Sequence, residues 1–341
     1  MFEKDNIQRL TEEGYLQVQK HPDAELYIYN YAAKTQYEGA WNEITLQCRG
    51  LILDAYGNPV ARPFPKFFNL GERPDEVLPD ETFEVQDKLD GSLGILYRLD
   101  GKPYIASRGS FTSEQAQEAT RLLHEKYAAS IPLLQEGLTY LFEIIYPENR
   151  IVVNYGTERA LHLLAVIETA TGRELEPEDI GFPLVEKFHG IYDISKLKER
   201  STENREGFVV RFRNGFRVKV KFGEYLRLHR IVTGISNLSI WEMLRDGVPQ
   251  DDLLEQVPDE FYRWVKETIH TLQSQYTAIE EQSKADFRIL NTRKETAMYF
   301  QTRKYPTVLF YMLDQKNYAP LIWKMVRPAY RKAWLRDEQT E

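Results

Sequence analysis

The chain has 341 residues and one cysteine, Cys48. An internal disulfide is therefore excluded, and a lone thiol fits a reducing compartment. It has no apolar run near the roughly 18 residues a membrane-spanning helix needs, so no membrane partner is expected. The opening residues, Met1-Phe2-Glu3-Lys4-Asp5, are polar and not a secretory core, which makes a cytoplasmic location the expectation. An overall positive charge is also missing: the net charge is −8, which does not suggest nucleic-acid binding by the molecule as a whole. The histidines (His21, His124, His162, His189, His229 and His270) show no metal-ligand spacing, which speaks against a zinc centre. There is no Walker-type glycine-rich loop, no internal repeat and no low-complexity tract.

What is present describes an ordinary globular protein, 42% hydrophobic and 28% charged. Its length allows two domains. Charge is unevenly spread. Arg205 to Arg230 holds eight Lys or Arg against Glu206 and Glu224, a local net charge of +6 within a chain of −8. A basic block on an acidic protein points to a local anion site.

Residues up to about 230 read as α+β. Strands are expected at 44–54, 82–86, 93–97, 138–145, 151–155 and 160–167. A helix is expected over 113–129, capped by Ser113. A hairpin is expected at 208–212 and 216–222 around Asn214-Gly215. Beyond about Tyr225 the pattern turns helical, at 235–245, 258–285, 293–299, 306–314 and 320–336. The last stretch sets Arg327, Arg331, Lys332 and Arg336 among Tyr330 and Trp334. Such a mixture suits RNA, or equally a helix with a docked apolar face and a solvated basic one.

The segment Lys88-Leu89-Asp90-Gly91-Ser92 lies between two strand-like stretches. Side chains alternate along an extended chain, so Lys88 and Asp90 are expected on one side. Gly91 lets the backbone turn tightly and approach a ligand. A lysine that attacks phosphorus must be neutral, although its reference pKa is about 10.4. Nearby cations disfavour the ammonium form, and Lys219, Lys221, Arg49 and Lys66 are candidates to supply them. Glu143 and Glu206, on different strands, are candidates to hold Mg²⁺, with Asp90 near enough to Lys88 to join them. A carboxylate in the apolar stretch Leu141-Phe142-Glu143 is costly unless partnered, which marks Glu143. Asp90 also has a plainer reading, as a hydrogen-bond acceptor for its own turn.

In order along the chain stand Arg49 in Cys-Arg-Gly-Leu-Ile-Leu-Asp, Lys66 and Phe68 in Pro-Lys-Phe-Phe-Asn, the Lys88 segment, Ser107-Arg108-Gly109-Ser110 and Leu141-Phe142-Glu143. Pro147-Glu148-Asn149-Arg150-Ile151-Val152, Glu206-Gly207-Phe208-Val209 and Val218-Lys219-Val220-Lys221 follow. The set resembles the phage-type ATP-dependent RNA ligase 1 family, the tRNA-repair ligases of the covalent nucleotidyltransferase superfamily, over roughly residues 45–230. The resemblance implies a nucleotidyltransferase (ATP-grasp-like ligase) domain of antiparallel sheets with flanking helices at 1–230. An all-helical domain at 231–341 would follow as a candidate RNA-specificity module. It implies that Lys88 takes AMP from ATP, passes it to an RNA 5′-phosphate, and that a 3′-hydroxyl then displaces AMP.

By the same resemblance, Lys219 and Lys221 would contact the α-phosphate. Arg49, Lys66 and Phe68 would hold the outer phosphates. Arg108 stands where the family often has lysine. Gly91 would admit the nucleotide, and Phe208 and Val209 would pack on adenine. Asp90, Glu143 and Glu206 would organise Mg²⁺ or Mn²⁺ through water. The implied partners are RNA with 5′-phosphate and 3′-hydroxyl ends, broken tRNA among them, and a separate kinase-phosphatase that prepares those ends. A DNA ligase or capping-type transferase, and an inactive nucleotide- or RNA-binding relative, are the alternatives.

Overall fold

The computed structural model of the chain describes residues 4–73, 75–202, 204–249 and 262–331. Its contacts divide the chain into two compact units, Met1–Val232 and Thr233–Glu341.

The first unit is α+β and holds three sheets. One runs β1 (Leu16–Lys20), β2 (Leu26–Tyr31), β3 (Arg49–Asp54) and β4 (Pro59–Ala61), all antiparallel. The second has the order β12 (Lys187–Phe188), β6 (Phe83–Lys88), β13 (Gly207–Phe212), β14 (Arg217–Lys221) and β5 (Phe68–Asn69). Its pairs are antiparallel except β14 with β5, which is parallel. The third has the order β11 (Glu174–Leu175), β10 (Ala160–Glu168), β9 (Leu138–Ile145), β7 (Ser92–Leu99) and β8 (Lys102–Ser107), antiparallel throughout.

Period-two alternation builds the layers. On β7, Leu93, Ile95 and Tyr97 pack in one cluster with Ile28, Ile52 and Ala61 of the first sheet. Leu96, with Phe142 and Ile144 of β9, packs instead under Ala119, Leu122 and Leu123 of α4 (Glu114–Glu125). Each such fully buried side chain contributes about 1.5–3 kcal/mol. Ser113 caps α4, its hydroxyl accepting from the amide of Ala116 at 3.2 Å. The shorter helices α1 (Lys4–Glu12), α2 (Ala33–Glu38) and α3 (Glu43–Gln47) flank the first sheet, and α5 (Gly223–Thr233) follows β14. The second unit is helical, with α6 (Asn237–Arg245), α7 (Tyr262–Asp286), α8 (Arg293–Gln301), α9 (Pro306–Leu313) and α10 (Ala319–Met325).

Four sequence expectations need correction. Residues 44–47, expected as strand, form α3. Asn42 caps it, its side chain accepting from the amides of Ile44 and Thr45, while Thr45 closes a reciprocal capping box; that local bonding overrides the β-branched run. Residues 151–155, expected as strand, are irregular, because the amides of Val152 and Val153 go to a side chain and not to a ladder. The 113–129 helix ends at Glu125, and a 3₁₀ turn covers Ala128–Leu133. The last expected helix stops at Met325, shortly before Pro328, which disfavours helix at the residue ahead of it. Lys332, Trp334 and Arg336 lie outside the described residues, as do 258–261.

Candidate functional site

Strand register decides which side chains meet. Gly207 pairs with Lys88 on one side and Lys221 on the other, making a row across β6, β13 and β14. Two residues along, Gln86, Val209 and Lys219 form the next row. Alternation turns both rows to the same face. They line a cleft of about 520 Å³, within the usual range for small-molecule sites. Arg49, Phe67, Gly91, Arg108, Glu143 and Leu164 complete much of its wall. Six cationic side chains thus line it, Arg49, Lys88, Arg108, Arg217, Lys219 and Lys221, of which Arg217 is ion-paired to Glu174.

The cations do not stand alone, as the sequence had suggested. Glu206 is 2% exposed and bridges two of them, with Oε2 at 2.7 Å from Lys88 Nζ and Oε1 at 2.9 Å from Lys221 Nζ. Burial alone would push this carboxyl up, but Lys221 and Lys88 overcome that and hold it below the usual carboxylate range. The bridge depends on Gly207. Its φ is +152°, and a Cβ there would lie 2.0 Å from the Val220 carbonyl oxygen. Only glycine lets β13 and β14 close so tightly behind Glu206.

Glu143 stands on β9 opposite Leu93. Its Oε1 accepts from the amide of Gly91 at 2.9 Å. Burial pushes its carboxyl up to about 7; Lys88 opposes the rise and Glu206 adds to it. Gly91 is again a close approach, since a Cβ would meet the Ile144 carbonyl at 2.6 Å.

Asp90 is placed differently from the expectation. It is 3% exposed, and Oδ2 accepts from the amides of Val152 and Val153, each at 2.8 Å. Oδ1 accepts from the Tyr225 hydroxyl at 2.8 Å, while the Asp90 amide donates to Tyr155 Oη at 2.8 Å. Its carboxylate ties the turn after Lys88 to the 152–155 loop and to α5, and it is not among the side chains lining the cleft. Among the described residues, no three His, Cys, Asp or Glu gather to hold a metal ion directly. Asp90, Glu143 and Glu206, expected to organise the ion through water, do not form a cluster of direct ligands. Both oxygens of Asp90 and of Glu206 are engaged, and of these three acids Glu143 is the one that lines the cleft.

Three further expectations change. Lys66 is buried, its Nζ 5.2 Å from the Tyr31 ring, 5.7 Å from Trp41 and 5.4 Å from Phe68. It lies 3.4 Å from the Tyr31 hydroxyl, which Arg108 approaches at 3.5 Å. Lys66 and Phe68 form this aromatic cluster, and Phe67 lines the cleft in their place. Phe208 takes the opposite face of β13 from Val209, at 5.1 Å from both Phe188 and Phe222, so alternation removes it from the cleft. Sequence reasoning missed Gln86 and Leu164 in the lining. It also missed the chain in which Asn149 Nδ2 donates to Ser92 Oγ at 3.0 Å and Gln115 Nε2 to Asn149 Oδ1 at 3.4 Å. Gln86 was legible from parity with Lys88; Leu164 and Gln115 come from distant elements and carried no local signal.

A family described as RNA ligase matches residues 47–225. A protein of Thermovibrio ammonificans named as an RNA ligase is 30% identical over 242 residues, covering 66% of this chain and 63% of that protein. One from Autographa californica nuclear polyhedrosis virus, named as a bifunctional polynucleotide kinase/RNA ligase, is 24% identical over 281 residues, 74% of this chain and 40% of its own length. The RNA ligase of Rhodothermus phage RM378 is 23% identical over 366 residues, 82% of this chain and 79% of its own. The match thus spans less than two thirds of the first two relatives.

Proposed function

This chain belongs to the RNA ligase family, and from that premise we propose that it is an ATP-dependent RNA ligase acting through a lysine-AMP intermediate on Lys88. The observation that carries the reading is the Lys88–Glu206–Lys221 bridge inside a cleft that also gathers Arg49, Arg108 and Lys219. Arg49, Arg108, Lys219 and Lys221 would offset the charge of a triphosphate and of the transition state at its α-phosphorus. Lys88 must leave its ion pair and give up a proton, to Glu206 or to water. Its Nζ then bonds the α-phosphorus of ATP as the bond to the β-phosphate oxygen breaks and pyrophosphate leaves. An RNA 5′-phosphate oxygen next attacks that phosphorus and the P–N bond breaks. A 3′-hydroxyl finally attacks the RNA phosphate and AMP departs.

Glu143 would hold Mg²⁺ or Mn²⁺ through water, and when bound that ion supplies positive charge to the phosphates. Asp90 acts by fixing the turn that carries Lys88. Val209 offers an apolar face to the base. The helical unit after Val232 is the module we assign to RNA choice, with tRNA broken in a loop as the substrate class. The viral relative is named for a kinase as well as a ligase. These 341 residues contain no Walker-type loop, so end preparation would be the work of a kinase-phosphatase outside them.

Incubation with α-labelled ATP and a divalent cation should leave covalent label on the wild type and none on Lys88→Ala. The labelled protein should then join 5′-phosphate to 3′-hydroxyl RNA ends in preference to DNA ends. A wild type that takes no label would overturn the reading.

A further inference from the structure

We propose that Gln115 holds the 2′-hydroxyl of the 3′-terminal ribose on the strand to be joined, and so makes the sealing step prefer RNA ends. The proposal rests on the reading of the cleft as an RNA ligase site. Side chains that line the cleft cross the third sheet in strand order: Leu164 on β10, Glu143 on β9, Leu93 opposite it on β7, and Arg108 just past β8. With strands about 4.8 Å apart, the apolar end of that row lies roughly 14 Å from the cationic one. Gln115 lines the cationic end. It stands on the first turn of α4, whose cap residue Ser113 donates to Ser107 Oγ at 2.9 Å, and Ser107 closes β8.

In-line displacement at phosphorus sets the entering and leaving groups on opposite sides. Pyrophosphate therefore departs away from Lys88, the RNA 5′-phosphate enters from that side, and the 3′-hydroxyl approaches from beyond it. Both RNA ends thus belong at the Arg108 end of the cleft. Asn149 fixes what Gln115 offers there. Asn149 Nδ2 donates to the Ile144 carbonyl at 3.1 Å, which turns Oδ1 toward Gln115 Nε2, 3.4 Å away. Gln115 is held by its donor end, and among the described residues its Oε1 accepts no hydrogen bond. A carbonyl oxygen accepts from a hydroxyl and has nothing to donate to a phosphate. Of the two hydroxyls on a terminal ribose, the 3′ one loses its proton as it attacks. The 2′ one keeps its proton throughout, so Oε1 can hold it and thereby aim its neighbour.

The test supplies a pre-adenylated RNA donor, which bypasses ATP, with acceptor strands whose 3′-terminal sugar is ribose or 2′-deoxyribose. Sealing kcat/KM is measured for both acceptors in the full-length wild type and in Gln115→Leu. Wild type should favour the ribose-ended acceptor by roughly tenfold, the value of one well-placed hydrogen bond. Gln115→Leu should join the deoxyribose-ended acceptor as the wild type does, which certifies its fold, and should lose the preference. A wild type without the preference, or a variant that keeps it or slows on both acceptors alike, overturns the proposal. The preference and its loss, in a chain that takes no label from ATP, would uphold this assignment while sinking the lysine-AMP reading.

Discussion

Glu143 and Glu206 are two carboxylates in one cleft with opposite environments. Glu206 is held low by two ammonium groups, while Glu143 is pushed up to about 7 by burial, with one backbone amide for a partner. Glu143 is therefore largely neutral below that value and ionised above it. If it organises a divalent cation, label uptake from ATP should rise with pH through about 7, and Glu143→Gln should flatten that limb. The stability sign follows from the same shift. The folded-state value lies above the usual carboxylate value of 4.5, so the folded chain binds this proton more tightly than the unfolded one. That contribution is fully present at acid pH and is lost as pH rises through about 7. Relative to wild type, Glu143→Gln should thus gain stability at pH 8 over pH 5, by on the order of 1–2 kcal/mol given water in the cleft. Paired denaturant titrations would show it.

Asp90 makes the second residue-scale case. Removing its carboxylate strands two buried amides and a tyrosine hydroxyl, so Asp90→Ala should cost about 2–4 kcal/mol in urea unfolding. Asp90→Asn should keep the wild-type dependence of labelling on divalent-ion concentration. A marked shift to higher metal demand would restore Asp90 to the metal set.

At the scale of elements, the β13–β14 hairpin sets the spacing of the site. Gly207→Ala would drive a methyl group into the Val220 carbonyl at a φ of +152°, and should destabilise by at least about 3 kcal/mol in chemical denaturation. If the variant unfolds like the wild type, β13 and β14 do not pack as described. The same hairpin shows what a sequence can and cannot tell. Asn214-Gly215 and the alternating run announced it, and parity alone puts Lys219, Lys221 and Val209 on one face. Parity equally forbids Phe208 there, although its position beside Glu206 suggested adenine contact. The apolar run 151–155 looked like a strand because composition does not reveal that a distant carboxylate, Asp90, takes its amides. Conversely, Asn42 and Thr45 spelled out a capping box that the β-branched pair Ile44-Thr45 obscured. Phe67 precedes and Phe68 opens β5, a strand of two residues, too short for its periodicity to be read from the sequence.

Across the whole molecule, an acidic chain of net charge −8 concentrates its cations where three strands of one sheet meet the ends of β3, β8 and β9. The segments that supply them lie up to about half the chain apart. Their order was visible in the sequence, and their convergence is a product of the fold. Among the described residues no helix is long and apolar enough to cross a membrane. The central claim is that Lys88, freed from Glu206, captures AMP. The most direct measurement is peptide mapping by mass spectrometry after incubation with ATP and Mg²⁺. The account predicts one added AMP, located on Lys88 and released by pyrophosphate. Stable AMP on another residue, or none on an intact and ATP-binding protein, would contradict it.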